Sequence, residues 1–331
     1  MENKYTLEVN NLFKHYTQRT KEKNRFGTVK KTVKAVDGIS FKLMTGEVMG
    51  VIGESGCGKS TLAKLLTKLE NPTQGEILFN GISSDNIIRN DRLEYKRTIQ
   101  MVFQNPFDTF DPRNTIEKII VDTLKMHSIG KTYNDRTSIA VKAMEEVGLK
   151  PAEDYLYRYP HELSGGQLQR ISILRAMLLK PRFLIADEPV SMLDVSVRAD
   201  IIMMLQNLVN NSNTALIFIS HDINTTRYIS DKIAVMYLGR IVESGTTDYV
   251  LHNPVHPYTK TLISNCASID MLEKKNVIKI TGEPPTPIDN GPGCYFAPRC
   301  YMKKDICFRE YPDIVEIEKN HFASCHFINN N

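Results

Sequence analysis

The sequence predicts an α/β fold built on a largely parallel β-sheet, followed by a small cysteine-rich C-terminal extension. Up to residue 250, short apolar runs alternate with helical patterns, which is typical of such a sheet. Beyond that point proline becomes frequent, and four of the six cysteines lie between Cys294 and Cys325. A chain of 331 residues that is 41% hydrophobic can bury one full core beside a small second domain. We therefore expect two parts, residues 1–250 and 251–331.

Length of apolar runs and charge limit the classes of function. No stretch approaches the roughly 18 apolar residues of a membrane span, and the N-terminus lacks the apolar core of a secretory signal, so we expect a cytoplasmic location. The net charge of +4 is too small to indicate nucleic-acid binding. The segment 17–34 carries seven basic side chains and one acid. We interpret it as a solvated loop, with contact to a membrane headgroup or a partner as the alternative.

Three apolar runs of strand length end at polar groups. In open parallel sheets, ligands lie just beyond the carboxyl ends of the strands. We therefore expect these groups to meet at one ligand. The runs are Val48–Ile52 before a glycine-rich loop, Phe183–Ala186 before Asp187 and Glu188, and Ala215–Ile219 before Ser220 and His221.

The glycine-rich loop Gly53–Thr61 matches the P-loop pattern and precedes a helical stretch. Its glycines allow backbone N–H groups to turn towards phosphate oxygens, and the dipole of the helix that follows favours the same charge. Lys59 is placed to reach the outer phosphates and the Ser60 hydroxyl to ligate Mg²⁺. The residues predicted to contact nucleotide here are Ser55, Gly56, Cys57, Gly58, Lys59, Ser60 and Thr61.

Two consecutive carboxylates follow the second run. Asp187 is placed to hold Mg²⁺, and Glu188 lies one residue further on, where it can orient and deprotonate an attacking water. An Asp-Glu pair at a strand end is a weak signal by itself. It gains weight here because a P-loop lies about 130 residues upstream.

The sequence Leu163-Ser164-Gly165-Gly166-Gln167 resembles the LSGGQ signature of ABC ATPases. The resemblance implies an ABC-type P-loop ATPase core with a helical subdomain at residues 105–175. It also implies roles for four further residues. These are Gln104 as a Mg²⁺ ligand that faces the transmembrane partner, Asp194 in the D-loop, His221 as the switch histidine at the γ-phosphate, and Tyr16 as the ring that stacks on adenine.

The same resemblance implies a mechanism shared between two chains. Ser164, Gly165 and Gly166 would cap the γ-phosphate held by the P-loop of an opposing subunit, together with Gln167. One chain then carries two half-sites, and a monomer is expected to be a poor ATPase. ATP would join the two ATPase subunits, and hydrolysis would release them and drive the transmembrane domains.

The C-terminal region adds a second resemblance. Five, six and seventeen residues separate Cys294, Cys300, Cys307 and Cys325. With the segments 256–262 and 282–285, this closely resembles the C-terminal region of ATPase subunits from oligopeptide and dipeptide permeases, a branch that also handles nickel. In that branch the four cysteines are associated with a [4Fe–4S] cluster. Residues 167–170 and the basic segment resemble the second of the two ATPases in such systems.

The cysteine chemistry leaves alternatives open. Four thiolates can bind either Zn²⁺ or an iron–sulfur cluster, and the spacing lacks the short C-x₂-C pairs of zinc ribbons, which favours the cluster. Reduced structural cysteines are the third possibility, and His321 or His326 could replace one cysteine. The extension is too short and proline-rich to build a good core alone, so a metal would stabilise it.

Together these observations predict the ATPase of a heteromeric peptide importer at the cytoplasmic face of the membrane. Its expected partners are a second ATPase, two transmembrane permease subunits and, indirectly, an external binding protein. A nickel or metal-chelate importer is the alternative within the same branch. A soluble ABC ATPase is disfavoured because the chain has one motif set and no sustained heptads. A subunit that binds ATP without hydrolysing it is disfavoured because Glu188 and His221 are present.

Overall fold

The computed structural model describes residues 5–21, 28–266, 278–280, 282, 285–288 and 290–328. The centre of the basic segment, residues 22–27, lies outside them. The chain forms two compact units. The first comprises Met1–Leu7, Leu43–Glu47 and Leu78–Phe218, and the second comprises Glu8–Lys42, Val48–Ile77 and Ile219–Asn331. The division at residue 250 and the helical subdomain 105–175 stay predictions.

The first unit is rich in helix. Its helices are α2 (Ser84–Asn90), α3 (Arg92–Thr98), α4 (Ile116–Met126), α5 (Tyr133–Glu146), α6 (Glu153–Leu156), α7 (Gly165–Met177) and α8 (Val195–Ser212). Its strands are β5 (Ile82–Ser83), β6 (Ile99–Val102), β7 (Phe183–Asp187) and most of β8 (Ala215–Ser220). Strands β6 and β7 are parallel, with Ile99 opposite Phe183.

Helix α4 shows why this unit packs as it does. Thr115 caps its N-terminus through a side-chain oxygen, which satisfies a backbone N–H that has no partner within the helix. Ile116, Ile120 and Leu124 recur at the spacing of one helix face and are fully buried. They belong to a cluster that includes Met144 of α5 and other apolar residues of the unit.

The second unit contains most of the strands. They are β1 (Tyr5–Lys21), β2 (Thr28–Met44), β3 (Val48–Ile52), β4 (Gln74–Phe79), β9 (Lys232–Tyr237), β10 (Arg240–Thr246), β11 (Val315–Glu318) and β12 (His321–Ala323), of which β1, β2 and β4 extend into the first unit. Its helices are α1 (Lys59–Leu66), α9 (Ile223–Ile229), α10 (Thr247–His252), α11 (Pro257–Ser264) and α12 (Ile306–Arg309).

Two strand sets organise this unit. The strands β11, β12, β10, β9 and β3 lie side by side in that order, and β2, β1 and β4 form the other set in that order. The pair β3 and β9 is parallel, whereas β10 is antiparallel to both β9 and β12. The predicted parallel pairing is therefore confirmed for β3–β9 and β6–β7. The long N-terminal strands β1 and β2 were not predicted, and they include residues 17–21 and 28–34 of the basic segment that we interpreted as a loop.

The C-terminal extension contains more regular structure than the prolines suggest. Strand β12 joins β10, with Glu243 opposite Ala323. Tyr258 and Phe296 of the extension are buried in one apolar cluster with Ile52 and other residues of the central strands. The extension therefore shares a core with those strands, which is a source of stability besides any metal. Among the described residues, no helix combines the length and apolar character needed to cross a bilayer.

Candidate active site

The P-loop joins β3 to α1, and its glycines are required by close backbone approaches. A Cβ on Gly53 would lie 2.2 Å from the carbonyl oxygen of Met236, and one on Gly58 would lie 2.1 Å from that of Ala35. Gly58 also has a φ of +108°, in the region that favours glycine. Any side chain at either position would open the loop, so the sequence and the loop geometry agree.

Lys59 lies inside this loop and is 5% exposed. Its Nζ donates hydrogen bonds to the carbonyl oxygens of Gly53, at 2.7 Å, and Glu54, at 3.0 Å. The ammonium is therefore held where the loop bends and where the N-terminus of α1 begins. A cation at a helix N-terminus surrounded by turned backbone is a setting that suits phosphate.

Two other predicted residues differ in exposure. Cys57 is 3% exposed, and burial raises the pKa of its thiol despite the opposing charge of Lys59. We therefore regard Cys57 as a neutral packing residue of the loop. Ser60 is exposed at the first turn of α1, where its hydroxyl is the kind of oxygen donor that Mg²⁺ accepts.

Tyr16 lies beside the start of α1. Its hydroxyl donates a short hydrogen bond to the carboxylate of Glu70, and it also interacts with the Thr61 side chain. Burial, followed by the Glu70 contact, raises the pKa of the phenol to about 12. The predicted adenine-stacking ring is thus neutral and fixed at one end, next to the last residue of the P-loop.

In the first unit, β7 ends at Asp187, which is 8% exposed. Glu188 follows with a φ of +47°, which is unusual for a residue with a side chain and is found at functional sites more often than elsewhere. Gln104 Nε2 donates to Glu188 Oε2 at 3.0 Å and to Ser191 Oγ at 3.3 Å. The Ser191 hydroxyl in turn donates to the Glu188 carbonyl oxygen at 3.0 Å.

The predicted signature lies at the start of α7. Ser164 Oγ accepts from the backbone N–H of Gln167, and Gln167 Oε1 accepts from that of Ser164. This reciprocal cap fixes the first turn, which contains Gly165 and Gly166. A Cβ on Gly166 would lie 2.5 Å from Val197 of α8. The residue before α8 is Asp194, so the signature and the D-loop meet at two helix N-termini.

The predicted site residues are distributed over both units. The P-loop, Tyr16 and His221 belong to the second, and Gln104, Asp187, Glu188, Ser164–Gln167 and Asp194 to the first. Within units, the geometry brings Tyr16 to Thr61 and Gln104 to Glu188. His221 follows β8 and is exposed. The convergence of all these groups on one ligand stays a prediction.

Sequence reasoning missed two residues that hold the P-loop. Arg299 forms an ion pair with Glu54, with the closest atoms 2.6 Å apart. The Tyr258 hydroxyl accepts from the Glu54 backbone N–H at 2.9 Å. Both partners lie more than 200 positions further along the chain. The sequence contains no local signal that pairs them with the loop.

The four late cysteines share one part of the extension. Cys294 donates its backbone N–H to the carbonyl oxygen of Cys307 at 2.8 Å. Burial raises the pKa of Cys294 to about 11, and burial, with a smaller effect of neighbouring thiols, raises that of Cys300 and Cys325. Yet no three His, Cys, Asp or Glu side chains in the described ranges are arranged to hold a metal ion. The described side chains therefore give no structural support to the predicted [4Fe–4S] cluster or to Zn²⁺.

The histidines considered as substitutes for a cysteine have other neighbours. His321 is buried, and its Nε2 lies 2.8 Å from Glu243 Oε1. His326 Nε2 lies 3.0 Å from the carbonyl oxygen of Glu310. Glu243 is itself fully buried and accepts from the backbone N–H groups of Val255 and His256. The contact between His321 and Glu243 therefore helps to fasten the extension to β10.

Comparison with protein families gives two matches in this chain. Residues 36–191 match the family described as ABC transporter. Residues 242–307 match the family described as oligopeptide/dipeptide transporter, C-terminal region. The first match covers the P-loop, Gln104, the signature and the two carboxylates, and the second covers Arg299 and three of the late cysteines.

Individual relatives match over most of their length. The oligopeptide transport ATP-binding protein AppF of Bacillus subtilis is 42% identical over 300 residues, which cover 89% of each chain. The dipeptide transport ATP-binding protein DppF of Haemophilus influenzae is 41% identical over 299 residues, covering 89% of this chain and 90% of that protein.

Solved structures agree on the fold. The ATP-binding cassette MJ0796, in a dimeric state bound to ADP and Pi, superposes with a TM-score of 0.61 at 23% identity, covering 73% of this chain and 98% of that chain. The protein cbiO1 from Clostridium perfringens, part of the ABC transporter complex cbiONQ, gives the same TM-score at 24% identity, covering 76% and 92%. At this identity the likeness establishes the cassette fold.

Proposed function

Because this chain belongs to the ATP-binding proteins of oligopeptide and dipeptide ABC transporters, we propose that it is the ATP-hydrolysing subunit of a heteromeric peptide importer. One observation carries the proposal. The ATPase motifs and the oligopeptide-type C-terminal region occur in the same chain, and the residues that hold the P-loop lie in that region. The chain thus combines the ATPase motifs with the C-terminal region that is typical of peptide transport relatives.

The P-loop binds the phosphates of ATP in this proposal. Lys59 changes from its contacts with the Gly53 and Glu54 carbonyl oxygens to the outer phosphates, and the N–H groups at the start of α1 donate to them. Tyr16 supplies a ring for the adenine base. Ser60, Gln104 and Asp187 provide the oxygen donors that suit Mg²⁺, which when bound neutralises charge on the phosphates.

Hydrolysis in this proposal depends on Glu188. The carboxylate orients a water molecule and accepts its proton as the water oxygen forms a bond to the γ-phosphorus. The bond between that phosphorus and the bridging oxygen of ADP breaks, and the proton passes on to the phosphate product. Gln104 holds the carboxylate in a fixed direction through its 3.0 Å hydrogen bond. His221 contacts the γ-phosphate from the end of β8.

The signature serves the ATP of a second ATPase subunit. The N–H groups of Gly165 and Gly166 lie at the start of α7, where the positive end of the helix dipole favours binding of an anion. Asp194 lies at the corresponding end of α8. ATP then joins two subunits, and its hydrolysis allows them to separate. This cycle powers the transmembrane partners, on whose cytoplasmic side the chain is placed.

The cargo is tested by reconstitution. The chain is purified with its second ATPase and two permease subunits, placed in vesicles and supplied with ATP, external binding protein and labelled oligopeptides. ATP-dependent peptide uptake that is lost in Lys59→Ala supports the proposal. Uptake of Ni²⁺ without peptide uptake contradicts the peptide assignment, and a chain that never co-purifies with membrane subunits contradicts transport altogether.

The cluster remains a separate proposal that rests on donor chemistry alone, since four cysteines can ligate [4Fe–4S]. No step of ATP turnover above depends on it. Iron and acid-labile sulfide are measured in anaerobically purified protein, with zinc alongside. About four iron atoms and four sulfides per chain support the cluster. One zinc per chain, or no metal, rejects it.

A further inference from the structure

Glu54 of the P-loop is held at two points by the C-terminal extension. Its carboxylate forms a bidentate pair with Arg299, with Nη1 2.6 Å from Oε2 and Nη2 3.0 Å from Oε1. Its backbone N–H donates to the Tyr258 hydroxyl at 2.9 Å. Its carbonyl oxygen accepts from Lys59 Nζ at 3.0 Å. One residue thus links the extension directly to the P-loop lysine.

Both anchors are themselves fixed. The Arg299 side chain is 7% exposed, and its Nη2 also donates to the Gly282 carbonyl oxygen at 3.0 Å. Tyr258 is fully buried, and its ring lies 4.6 Å from that of Tyr237 and 5.3 Å from that of Phe296. Bidentate pairs between guanidinium and carboxylate are directional, so Arg299 constrains the orientation of Glu54 as well as its charge.

We propose that Arg299 and Tyr258 are positioning residues of the ATP site, which hold Glu54 so that the P-loop and Lys59 keep the shape that receives phosphate. The C-terminal extension is then a working part of nucleotide binding as well as a feature of the subfamily. Neither residue touches ATP in this proposal. It rests on the proposed function insofar as the P-loop must be the phosphate site.

The burial of Arg299 explains why a carboxylate is needed in the loop. A buried guanidinium without a partner is costly, so the pair is either made or the extension must shift. Glu54, Ser55, Gly56 and Cys57 line a cavity of about 200 Å³ together with Pro285, Thr286 and Pro287 of the extension. Movement of the extension would therefore reach the tip of the loop, Ser55 and Gly56, which is exposed.

The test measures the Kd of a fluorescent ATP analogue with Mg²⁺ for the purified full-length chain. Arg299→Ala is expected to weaken binding about tenfold. Arg299→Lys keeps the positive charge but cannot form the bidentate pair, so it is expected to weaken binding less. Glu54→Gln is expected to cause the same loss, and adding Arg299→Ala to it should cost nothing more. Tyr258→Phe removes only the hydroxyl and is expected to weaken binding about threefold.

Arg309→Ala is the matched control, because Arg309 is an exposed arginine of the same extension. Thermal unfolding of each variant separates positioning from folding, since a merely structural role lowers the Tm and the fraction of protein that binds without changing the Kd of that fraction. If Arg299→Ala fails to fold, Arg299→Lys and Tyr258→Phe carry the same test.

The outcomes separate failure of the positioning role from failure of the phosphate site itself. An unchanged Kd in Arg299→Ala, or losses in Glu54→Gln and Arg299→Ala that multiply, overturns the positioning role. The Lys59→Ala variant distinguishes this failure from failure of the proposed site. If wild-type protein binds the analogue and Lys59→Ala does not, the P-loop assignment holds whatever the Arg299 result. If Lys59→Ala binds normally, the site itself is wrong.

Discussion

Gln104 and Glu188 are joined by a 3.0 Å hydrogen bond, from the amide nitrogen to a carboxylate oxygen. They lie 84 positions apart, after the neighbouring parallel strands β6 and β7. The positive φ of Glu188 turns its side chain out of the line of β7. The carboxylate expected to act as general base is therefore held by the residue expected to face the transmembrane partner. A shift of Gln104 changes the direction of Glu188.

Glu188→Gln is expected to lower ATP turnover by about a hundredfold, because the amide cannot accept a proton from water. ATP binding should be retained, so the variant should accumulate as a nucleotide-bound pair with its partner ATPase. Steady-state phosphate release and size-exclusion chromatography with ATP measure the two effects. Unchanged turnover removes Glu188 from the role of base.

Gln104→Ala is expected to reduce turnover about tenfold with a smaller change in ATP affinity, because the carboxylate loses a fixed hydrogen bond. The comparison of kcat with Kd for ATP makes this distinction. Gln100→Ala is the matched control, because Gln100 is a half-buried glutamine of β6 whose amide donates to the backbone carbonyl oxygen of Lys96. An equal loss in both variants contradicts a specific role for Gln104.

Gly166→Ala is expected to destabilise the protein by about 1 kcal/mol, because the new methyl group meets Val197 at 2.5 Å. Gly165→Ala is the internal control, since its Cβ would make an ordinary 3.7 Å contact with Leu193. Adding Val197→Ala should restore the stability of Gly166→Ala. Chemical denaturation measures all four proteins. Equal stability of the two glycine variants contradicts the packing argument.

The pH dependence of stability should reflect His256. Burial lowers its pKa from 6.5 to about 4, with Glu243 opposing. The unfolded chain then binds a proton at His256 more readily than the folded chain does. The contribution of His256 to the free energy of unfolding is therefore complete above pH 6.5 and declines as the pH falls towards 4. The loss from this group is about 2 kcal/mol at pH 5 relative to pH 7. His256→Asn keeps an acceptor for the Tyr258 N–H and should flatten the decline. Parallel pH profiles for the two proteins contradict the assignment.

Asp37 is expected to be a major source of stability in the second unit. It is 2% exposed, and although burial raises its pKa, hydrogen bonding from Tyr295 and the charge of Arg240 hold that pKa below its ordinary value. Asp37→Asn should lower the free energy of unfolding by about 3 kcal/mol, because Arg240 loses its partner. Glu8→Gln, which breaks a more exposed pair with Lys42, should cost under about 1 kcal/mol. Denaturant titration at pH 7 compares the two.

The sequence was most informative where local pattern and chemistry coincide. The strand Val48–Ile52 was predicted with the bounds that it has, because an apolar run and the glycines of the P-loop constrain the same few positions. A helix was predicted after the P-loop, and α1 begins earlier than expected, at Lys59 within the loop. The resemblance to the ABC signature implied a helix after these residues, and in the structure Ser164 and Gln167 cap the N-terminus of that helix, α7. These features depend on residues that are close together in the chain, so they could be predicted from the sequence alone.

Other features depend on contacts that no local pattern encodes. The pairing of β12 with β10 and the Arg299–Glu54 pair join residues separated by many other elements. The prolines of the extension correctly indicated irregular backbone, but they concealed a short β-hairpin and a shared aromatic core. The spacing of the late cysteines was also insufficient, because it favoured a cluster that the arrangement of the described side chains does not support.

Strand β12 has a consequence for solubility. By pairing with β10 it leaves β11 as the outermost strand at that end of the order, and β11 is four residues long with two exposed glutamates, Glu316 and Glu318. Short, charged outer strands resist pairing with other molecules. A chain shortened to end after α10 would instead present the seven-residue β10 with open hydrogen-bonding groups. Such a shortened protein should self-associate. The extension therefore also prevents aggregation, because it covers the edge of β10.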